Sequence, residues 1–241
     1  MPYTPFHQSS SQTQVLDQIL QRARNSGATG VAVIDLDGCL FDTRPRQTQI
    51  YRELAGQEDW DDLAQIQPDH FKDWSIPNTL SNIGLSPDRV NEIKGAVNAY
   101  WFKTFFTSTY VLYDHAMPGG PALVRALKAE GTYIVYLTGR DETMRAGTEA
   151  SLVRFGFPLG ERATLIVKPD FETDDTLFKA EALKTIAGFG EPIIFLDNEP
   201  SNVNRFKDDH PEALVVFVET DHSPKPVDPY ASLPRIKGFL R

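Results

Sequence analysis

The sequence contains one cysteine, Cys39, among its 241 residues. A single cysteine excludes a disulfide within the chain, and it excludes a zinc site built from several cysteines. No histidine is near Cys39 in the sequence, and free cysteine is commonly buried. We therefore expect Cys39 to be a small core residue and not a reactive thiol.

The sequence also lacks any dense block of lysine and arginine. Its 24 basic residues are outnumbered by 33 acidic residues, and the formal net charge is −9 at pH 7. An extended footprint on DNA or RNA, or on an anionic membrane surface, normally needs a basic patch. The charge balance argues against these partners, and it remains compatible with a small anionic substrate held by a few local cations.

Long apolar runs are absent as well. No stretch approaches the roughly 18 apolar residues of a membrane-spanning helix, and residues 1–14 show no basic segment followed by an apolar one. We therefore expect a soluble, cytoplasmic protein with no membrane partner. The chain contains no internal repeat, no G-x-S-x-G nucleophile motif and no P-loop. Its sequence gives no indication of the oligomeric state.

The chain does contain a regular alternation of amphipathic helices and short apolar strands. A helix is predicted over residues 11–26 and a strand over residues 31–36, and the alternation resumes at about residue 117. Strands that are apolar on both faces and joined by helices are typical of a parallel sheet covered on both sides. The sequence therefore predicts an α/β fold with a doubly wound, Rossmann-like parallel sheet. The later predicted strands are residues 132–138, 163–168, 192–197 and 213–220, and the later predicted helices are residues 121–131, 141–156, 176–188, 200–207 and about 231–240.

The alternation stops between Asp42 and about His115. This stretch contains all three tryptophans and a stripe of apolar residues at helical spacing. We predict a mainly α-helical insert over residues 43–116, within an α/β core formed by residues 1–42 and 117–241. An aromatic stripe is usually packing, but such an insert could also present a face to a substrate, and both interpretations stay open. The tryptophans are Trp60, Trp74 and Trp101, and the stripe is Val90, Ile93, Val97, Trp101 and Phe105.

Asp35 and Asp37 stand where the first apolar strand ends, in VAVIDLDGCLFDT (residues 31–43). Two neighbouring buried carboxylates cost free energy unless a cation or a proton offsets their charge. A carboxylate can attack phosphorus when a divalent cation cancels the repulsion, and carboxylate oxygens suit Mg²⁺. Asp35 is therefore the candidate nucleophile and Asp37 the candidate general acid and base. Gly38 would allow the sharp turn that brings backbone N–H groups to a phosphate.

The ends of the other predicted strands carry further polar residues. Ligands of open α/β sheets bind at the carboxyl ends of the strands, so these residues are expected at the same site. The hydroxyl of Thr138 and the N–H of Gly139 are candidates for holding a phosphoryl oxygen, and a lysine could neutralise the charge that develops in phosphoryl transfer. The candidates for phosphate or substrate binding are Gly38, Gly139, Arg140 and Lys168, and those for Mg²⁺ binding are Asp35, Asp37, Asp197 and Asn198.

Four motifs, in their order along the chain, resemble those of the haloacid dehalogenase (HAD) superfamily of phosphohydrolases. They are DLDGCLFDT, YLTGR, FKAEAL and FLDNEP, and the resemblance covers about residues 31–218. It implies a Rossmann-like sheet with the first-motif strand at its centre, an aspartyl-phosphate intermediate on Asp35, and Mg²⁺ as cofactor. It also implies that the insert is a cap that selects the substrate.

The resemblance leaves two assignments open. Lys179 lies 18 residues before Asp197, in the helix where the family usually carries its third-motif lysine, and Lys168 is the alternative. The family often has a second acid in its fourth motif and usually has threonine where Cys39 stands. The residues that could complete the metal site are Asn198, Glu199 and Asn202.

The remaining charged residues give weaker signals. Arg44 and Arg46 could reach a second anionic group of a substrate, or they could lie in a solvated loop. The histidines are scattered without ligand spacing, so we expect each to be structural or exposed. They are His7, His70, His115, His210 and His222.

The leading hypothesis is a Mg²⁺-dependent phosphomonoester hydrolase acting on a small phosphorylated substrate through an aspartyl-phosphate on Asp35. The acid Asp37 disfavours a dehalogenase and an ion-pumping ATPase, the relatives that do not need it. A phosphomutase and a phosphatase of polynucleotide ends are alternatives on the same fold. A non-catalytic binding module is the alternative from another class, and the presence of Asp35, Thr138 and Asp197 argues against it.

Overall fold

The computed structural model describes residues 11–241, in which strands and helices alternate over most of the length. The strands are β1 (Gly30–Ile34), β2 (Phe41–Asp42), β3 (His115–Ala116), β4 (Tyr133–Asp141), β5 (Ala163–Lys168), β6 (Glu191–Asp197), β7 (Leu214–Val218) and β8 (Arg235–Ile236). The α-helices are α1 (Gln12–Ser26), α2 (Arg44–Glu58), α3 (Ile76–Asn82), α4 (Pro87–Phe105), α5 (Ser108–Val111), α6 (Gly120–Ala129), α7 (Arg145–Arg154), α8 (Asp175–Ile186) and α9 (Pro200–Asp209).

Within residues 11–241, a six-stranded sheet has the spatial order β5, β4, β1, β6, β7, β8, and all of its paired strands are parallel. The order steps outward from β1 in both directions, which is the pattern of a doubly wound sheet. The sequence prediction of the fold class is therefore confirmed. Because β1 is central, the residues that follow it emerge between the ends of β4 and β6.

Alternate residues of the strands enter two different cores, one on each face of the sheet. On one face, Ala32 and Ile34 pack with α1, α6 and α7. On the other face, Val31 and Val33 pack with α8 and α9. Successive side chains of a strand point to opposite faces, so β1 is buried on both sides and its five residues are all buried.

The insert has a hydrophobic core of its own. Helices α2, α3 and α4 surround a third cluster that includes Ile50, Leu80 and Ile93, with the three tryptophans at its edge. The chain passes between this part and the sheet at the short antiparallel pair of β2 and β3, in which Asp42 stands opposite His115. The predicted helical character of this stretch is confirmed.

The predicted helix near residues 231–240 is wrong. Residues 235–236 form β8 and pair with β7. The spacing of the buried Leu233, Ile236 and Phe239 imitates a helical stripe, but the carbonyl of Pro234 accepts a hydrogen bond from Phe217 N (2.9 Å) and extends the chain beside β7. The helix predicted over residues 11–26 is confirmed as α1. In the described part of the chain, no helix combines the length and apolar character needed to cross a membrane.

Candidate active site

Three neighbouring strands deliver polar side chains to one edge of the sheet. Asp35 follows β1, Thr138 belongs to the end of β4, and Asp197 ends β6. Asp35 N donates a hydrogen bond to Leu196 O (2.9 Å), which continues the pairing of β1 with β6 as far as the two carboxylates. All three side chains are buried, and all three line a cavity of about 450 Å³. The central position of β1 is therefore what places Asp35 between Thr138 and Asp197.

Lys179 lies between two of these carboxylates. Its Nζ is 2.6 Å from Asp35 Oδ1 and 2.7 Å from Asp197 Oδ2. Burial raises the pKa of Asp35 to about 8: the attraction of Lys179 opposes this rise, and the charge of Asp197 adds to it. Burial alone would lower the pKa of Lys179, but the two carboxylates outweigh it and raise that pKa. The three groups form one buried cluster of two carboxyl groups around a single ammonium group.

Two arginines bind the carboxylate of Asp37. Arg140 Nε donates to Oδ2 (2.9 Å) and its Nη2 donates to Oδ1 (2.6 Å), while Arg46 Nη2 also donates to Oδ1 (2.9 Å). Burial tends to raise the pKa of Asp37, but Arg140 and Arg46 outweigh it and hold the pKa well below its usual range. Asp37 is therefore an ionised acceptor in this structure, with both carboxylate oxygens engaged.

Asp114 shares both arginines with Asp37. It accepts hydrogen bonds from Arg46 Nε (2.8 Å) and Nη2 (2.6 Å), and from Arg140 Nη2 (2.7 Å). The side chains of Asp114 and Arg46 are fully buried. Two guanidinium groups and two carboxylates balance in charge, and they link the insert (Arg46 on α2, Asp114 before β3) to the sheet. We call Asp37, Arg46, Asp114 and Arg140 the arginine cluster.

The turn after Asp37 requires glycine. Gly38 has φ +73°, and an added Cβ would fall too close to the side-chain amide of Asn198. Asn198 Nδ2 donates to Asp221 O (2.6 Å), and Thr220 Oγ1 donates to Gly38 O (2.5 Å). These contacts join the turn after β1 to the residues after β7.

The residues predicted to bind phosphate fall into two groups. Thr138, Gly139 and Arg140 line the cavity, and the hydroxyl of Thr138 accepts a hydrogen bond from Arg140 N (3.3 Å). Lys168 instead pairs with Asp175 (2.7 Å) and donates to the carbonyls of the loop before α8. An added Cβ at Gly139 would lie 2.7 Å from Asp175 Oδ2, so this carboxylate covers Gly139. The structure thus brings Lys179 to Asp35, whereas Lys168 holds the neighbouring loop.

The candidates for completing a metal site make hydrogen bonds, the two asparagines through their amide nitrogens and Glu199 through its carboxylate. Asn198 donates to Asp221 as described, Asn202 Nδ2 donates to Asp197 Oδ2 (3.1 Å), and the carboxylate of Glu199 accepts from Ser223 N (3.0 Å) and Ser223 Oγ (2.8 Å). Over residues 11–241, no group of three or more His, Cys, Asp or Glu side chains is arranged to hold a metal ion. Asp37, the third acid of the motif set, is bound by Arg46 and Arg140.

Asp35 and Asp197 still fit Mg²⁺. This ion is commonly held by one or two carboxylates, with waters and substrate phosphate completing its shell. The raised pKa of Asp35 reflects burial and the neighbouring carboxylates, and a divalent cation offsets both. Of the predicted set of Asp35, Asp37, Asp197 and Asn198, Asp35 and Asp197 share the ammonium group of Lys179, whereas Asp37 is bound by the two arginines.

Other predicted residues have clear positions. Arg44 pairs with Asp42 (2.7 Å), at the edge of the insert. Cys39 is fully buried, its Sγ faces Leu196 O (3.7 Å), and burial raises the pKa of its thiol. Of the histidines, His222 lines the cavity and His7 lies outside the described residues.

Sequence reasoning missed one wall of the cavity. The segment after β7 contributes His222, Ser223, Pro224 and Lys225. A usable signal was present, because a fifth parallel strand must also deliver its following residues to this edge of the sheet. The insert contributes a second wall, from the aromatic side chains Trp74, Trp101, Phe105 and Phe106.

No protein-family model matches this chain, and no curated protein matches it either. Similar solved structures do exist. A HAD-superfamily hydrolase (subfamily IA, variant 1) of Geobacter sulfurreducens is 16% identical, with a TM-score of 0.52, over 88% of this chain and 94% of that one. A "predicted phosphoglycolate phosphatase" of Haemophilus somnus is 14% identical, with a TM-score of 0.52, over 87% and 94% of the two chains.

The same comparison finds protein tyrosine kinase A of Mycobacterium tuberculosis, at 17% identity and a TM-score of 0.52, over 87% of this chain and 93% of that one. At such low identity, similarity extends to the fold alone, and the names of these proteins span more than one activity. Function must therefore be argued from the site. The sheet order, the helical insert after β1 and these structural similarities together show that the chain has the fold of the HAD superfamily.

Proposed function

We propose that this protein is a phosphomonoester hydrolase in which Asp35 attacks the phosphorus of a small phosphorylated substrate. The observation that carries the proposal is the position of Asp35 at the end of the central strand, with Lys179 Nζ 2.6 Å from its Oδ1 and Asp197 bound to the same ammonium group. A buried carboxylate held by a lysine beside a second acid, at the ligand-binding edge of the sheet, suits phosphoryl transfer.

The first step breaks the ester bond. Asp35 Oδ1 accepts the hydrogen bond from Lys179, so Oδ2 is the oxygen that attacks, forming an acyl phosphate while the P–O bond to the alcohol breaks. The leaving oxygen takes up a proton and departs as an alcohol. Water then attacks the phosphorus of the acyl phosphate, which releases inorganic phosphate and restores Asp35. Thr138 and the N–H of Gly139 line the cavity beside Asp35 and hold the phosphoryl oxygens.

Asp37 moves the proton in both steps. Its two arginines keep it ionised in the free site. A bound phosphate brings negative charge close to Asp37 and so raises the proton affinity of Asp37. Asp37 then takes a proton from solvent, gives it to the leaving alcohol, and accepts a proton from the attacking water. Arg140 and Arg46 act through Asp37 in this scheme, and are positioning residues.

Asp35 and Asp197 are the residues that would hold Mg²⁺. When bound, the ion would neutralise the repulsion between the carboxylates and the substrate phosphate. Lys179 supplies a fixed positive charge to the same two carboxylates. The insert, residues 43–116, serves as a cap over the site, and the core comprises residues 1–42 and 117–241.

The test measures phosphate release from a broad panel of phosphomonoesters, with Mg²⁺ and with EDTA. Asp35→Asn is compared with wild type, and Asp61→Asn, an exposed acid of the insert, is the matched control. We expect release to need both Mg²⁺ and Asp35, with a loss of at least about a thousandfold in Asp35→Asn. Acid-quenched wild type should carry an acyl phosphate that hydroxylamine removes.

Three results would contradict the proposal. Release that persists in Asp35→Asn at the wild-type rate excludes Asp35 as the nucleophile. A product in which the phosphate has moved within the substrate, with no inorganic phosphate formed, identifies a mutase. A folded wild type that releases no phosphate across the panel also overturns the hydrolase.

A further inference from the structure

The cavity has two chemically different walls. One wall carries the carboxylates and amides at the end of the sheet, including Asp35 and Asp197. Another wall is built by the insert and is aromatic. Its four side chains, which we call the aromatic roof, are Trp74, Trp101, Phe105 and Phe106.

The rings of the aromatic roof support one another. Trp101 stacks on Phe105 with 4.4 Å between ring centroids and 19° between ring planes. The ring of Trp74 meets both of them at steep angles, 77° with Trp101 and 88° with Phe105. Phe106 meets Trp101 edge-on at 5.5 Å. Rings held by such contacts keep a fixed orientation. Trp74, Trp101 and Phe106 keep part of their surface exposed.

The aromatic roof is fixed to the catalytic edge of the sheet. The guanidinium of Arg46 lies over the ring of Phe105, 4.2 Å from its centroid, and Arg46 Nη1 donates to Phe105 O (3.2 Å). The same guanidinium binds Asp37, two residues from Asp35. One side chain thus sets the spacing between the roof and the place where a phosphate would bind.

A cavity with one polar wall and one aromatic wall favours a ligand that has an anionic group at one end and an apolar group at the other. A volume of about 450 Å³ falls within the range of about 300–1,000 Å³ that is usual for small-molecule sites. The anionic end of a ligand meets the part of the polar wall that holds Thr138, Arg140 and Lys179 beside Asp35, and the other end meets ring faces and edges. Planar aromatic groups make offset-stacked and edge-to-face contacts with such rings that saturated groups of the same size do not make.

We infer that the site takes phosphomonoesters whose alcohol part carries an aromatic or heteroaromatic ring, with the phosphate beside Asp35 and the ring against the aromatic roof. The inference rests on the proposed function. Two sources share this chemistry: small arylalkyl phosphates, in which the ring is close to the phosphate, and nucleoside monophosphates, in which a sugar separates them.

The test compares pairs of substrates that differ in aromaticity. Benzyl phosphate and cyclohexylmethyl phosphate have similar size and similar alkoxide leaving groups, so a difference in kcat/KM reports on the ring. We expect benzyl phosphate to be favoured by about 3- to 10-fold. Adenosine monophosphate and ribose 5-phosphate form the second pair. They differ by a whole base, so a preference in this pair counts as aromatic only where Trp74→Leu removes it, and the pair with the larger Trp74-dependent preference identifies the source.

Tryptophan variants test whether the aromatic roof causes the preference for aromatic substrates. Trp74→Leu and Trp101→Leu should each reduce the preference for the aromatic member to within about twofold, because leucine keeps apolar contact but not a ring. Trp60→Leu is the matched control: Trp60 packs at the edge of the same core, with Arg89 over its ring. If Trp101→Leu unfolds, because its ring stacks on Phe105, Trp74→Leu decides the outcome.

Binding separates failure of this inference from failure of the proposed function. Asp35→Asn is titrated calorimetrically with the same two pairs. Turnover without an aromatic preference overturns the inference but is consistent with the proposed hydrolase function. Preferential binding without turnover in wild type supports the aromatic site and contradicts the hydrolase. No binding of either pair, or a preference that Trp60→Leu removes as fully as Trp74→Leu does, overturns the inference.

Discussion

Arg140 and Asp37 form a two-point ion pair, with Nε 2.9 Å from Oδ2 and Nη2 2.6 Å from Oδ1. Paired contacts between a guanidinium and a carboxylate fix orientation as well as charge. Arg140 also reaches Asp114, and Arg46 from the insert binds both acids. The orientation of Asp37 therefore depends on residues that lie far apart in the sequence.

Removing Asp114 should destabilise the protein strongly. Asp114→Asn leaves two buried guanidinium groups with one carboxylate, and an uncompensated buried charge costs about 3–5 kcal/mol in the free energy of unfolding. Urea unfolding measures the loss. Asp209→Asn is the control, because its ion pair with Arg205 is exposed and should matter little. Equal effects of the two substitutions would contradict this account of the arginine cluster.

Removing both members of a buried ion pair should cost less free energy of unfolding than the two single substitutions cost in sum. Arg46→Met/Asp114→Leu eliminates one positive and one negative charge together, so Asp37 and Arg140 remain as a balanced pair. We expect the double variant to lose less free energy of unfolding than the sum for Arg46→Met and Asp114→Leu. A double-mutant cycle measures the coupling, and strictly additive losses would show that the pair does not act as a unit.

Lys179 should matter more to stability without Mg²⁺ than with it. Lys179→Met leaves Asp35 and Asp197 buried without their shared cation, a loss of about 3–5 kcal/mol in EDTA. Mg²⁺ should then raise the free energy of unfolding more in this variant than in wild type, because the ion binds the freed carboxylates.

Lys168→Met is the control for Lys179. Its partner Asp175 is half exposed, so we expect a smaller loss and no added response to Mg²⁺. A response to Mg²⁺ that is the same in all three proteins would argue against Asp35 and Asp197 as the ligands. Urea unfolding with and without the ion provides the comparison.

Two glycine substitutions should act in opposite directions. Gly38→Ala forces a side chain into a left-handed conformation against Asn198, so stability should fall by about 1–3 kcal/mol, and activity should fall with it. Gly95 lies exposed inside α4, where an added Cβ meets nothing within 4 Å. Gly95→Ala should stabilise the helix by about 0.5–1 kcal/mol and leave activity unchanged. Thermal unfolding and phosphate release distinguish the two, and a neutral Gly38→Ala would contradict the tight turn.

Cys39 should resist thiol reagents while the protein is folded. Its side chain is fully buried, and burial raises its pKa, so neither access nor thiolate formation favours reaction. The rate at which Cys39 is labelled should equal the rate at which the protein opens around it, and labelling should become rapid in urea. Asn25→Cys in a Cys39→Ala background gives an exposed thiol for comparison. Rapid labelling of Cys39 in native buffer would show that the turn after β1 opens readily.

The sheet could be predicted because each of its main strands is a short apolar run that is recognisable in the local sequence. The strand predicted over residues 163–168 is β5 to the residue, and α1 agrees within one residue of its predicted start. Local periodicity is enough where both faces are buried. The same periodicity was misleading at β8, where Leu233, Ile236 and Phe239 are three residues apart but residues 235–236 form a strand.

The arginine cluster could not be read from the sequence. Asp114 and Arg46 are 68 residues apart, and Arg140 and Asp37 are 103 residues apart. Such contacts depend on how the insert packs on the sheet, and no local spacing encodes that. Asp37 shows the effect of this limit. The sequence motif predicts a free acid and metal ligand at this position, but in the fold two guanidinium groups bind the carboxylate of Asp37.

The pairing of Asp42 with His115 brings the two ends of the insert together at one place. A two-residue turn is enough to join neighbouring antiparallel strands, so a deletion of residues 43–114 could be closed at that point without shifting the register of the sheet. Such a deletion removes Arg46 and Asp114 together, one charge of each sign, and leaves Arg140 bound to Asp37. Loss of this segment would therefore leave the charges around Asp37 in balance.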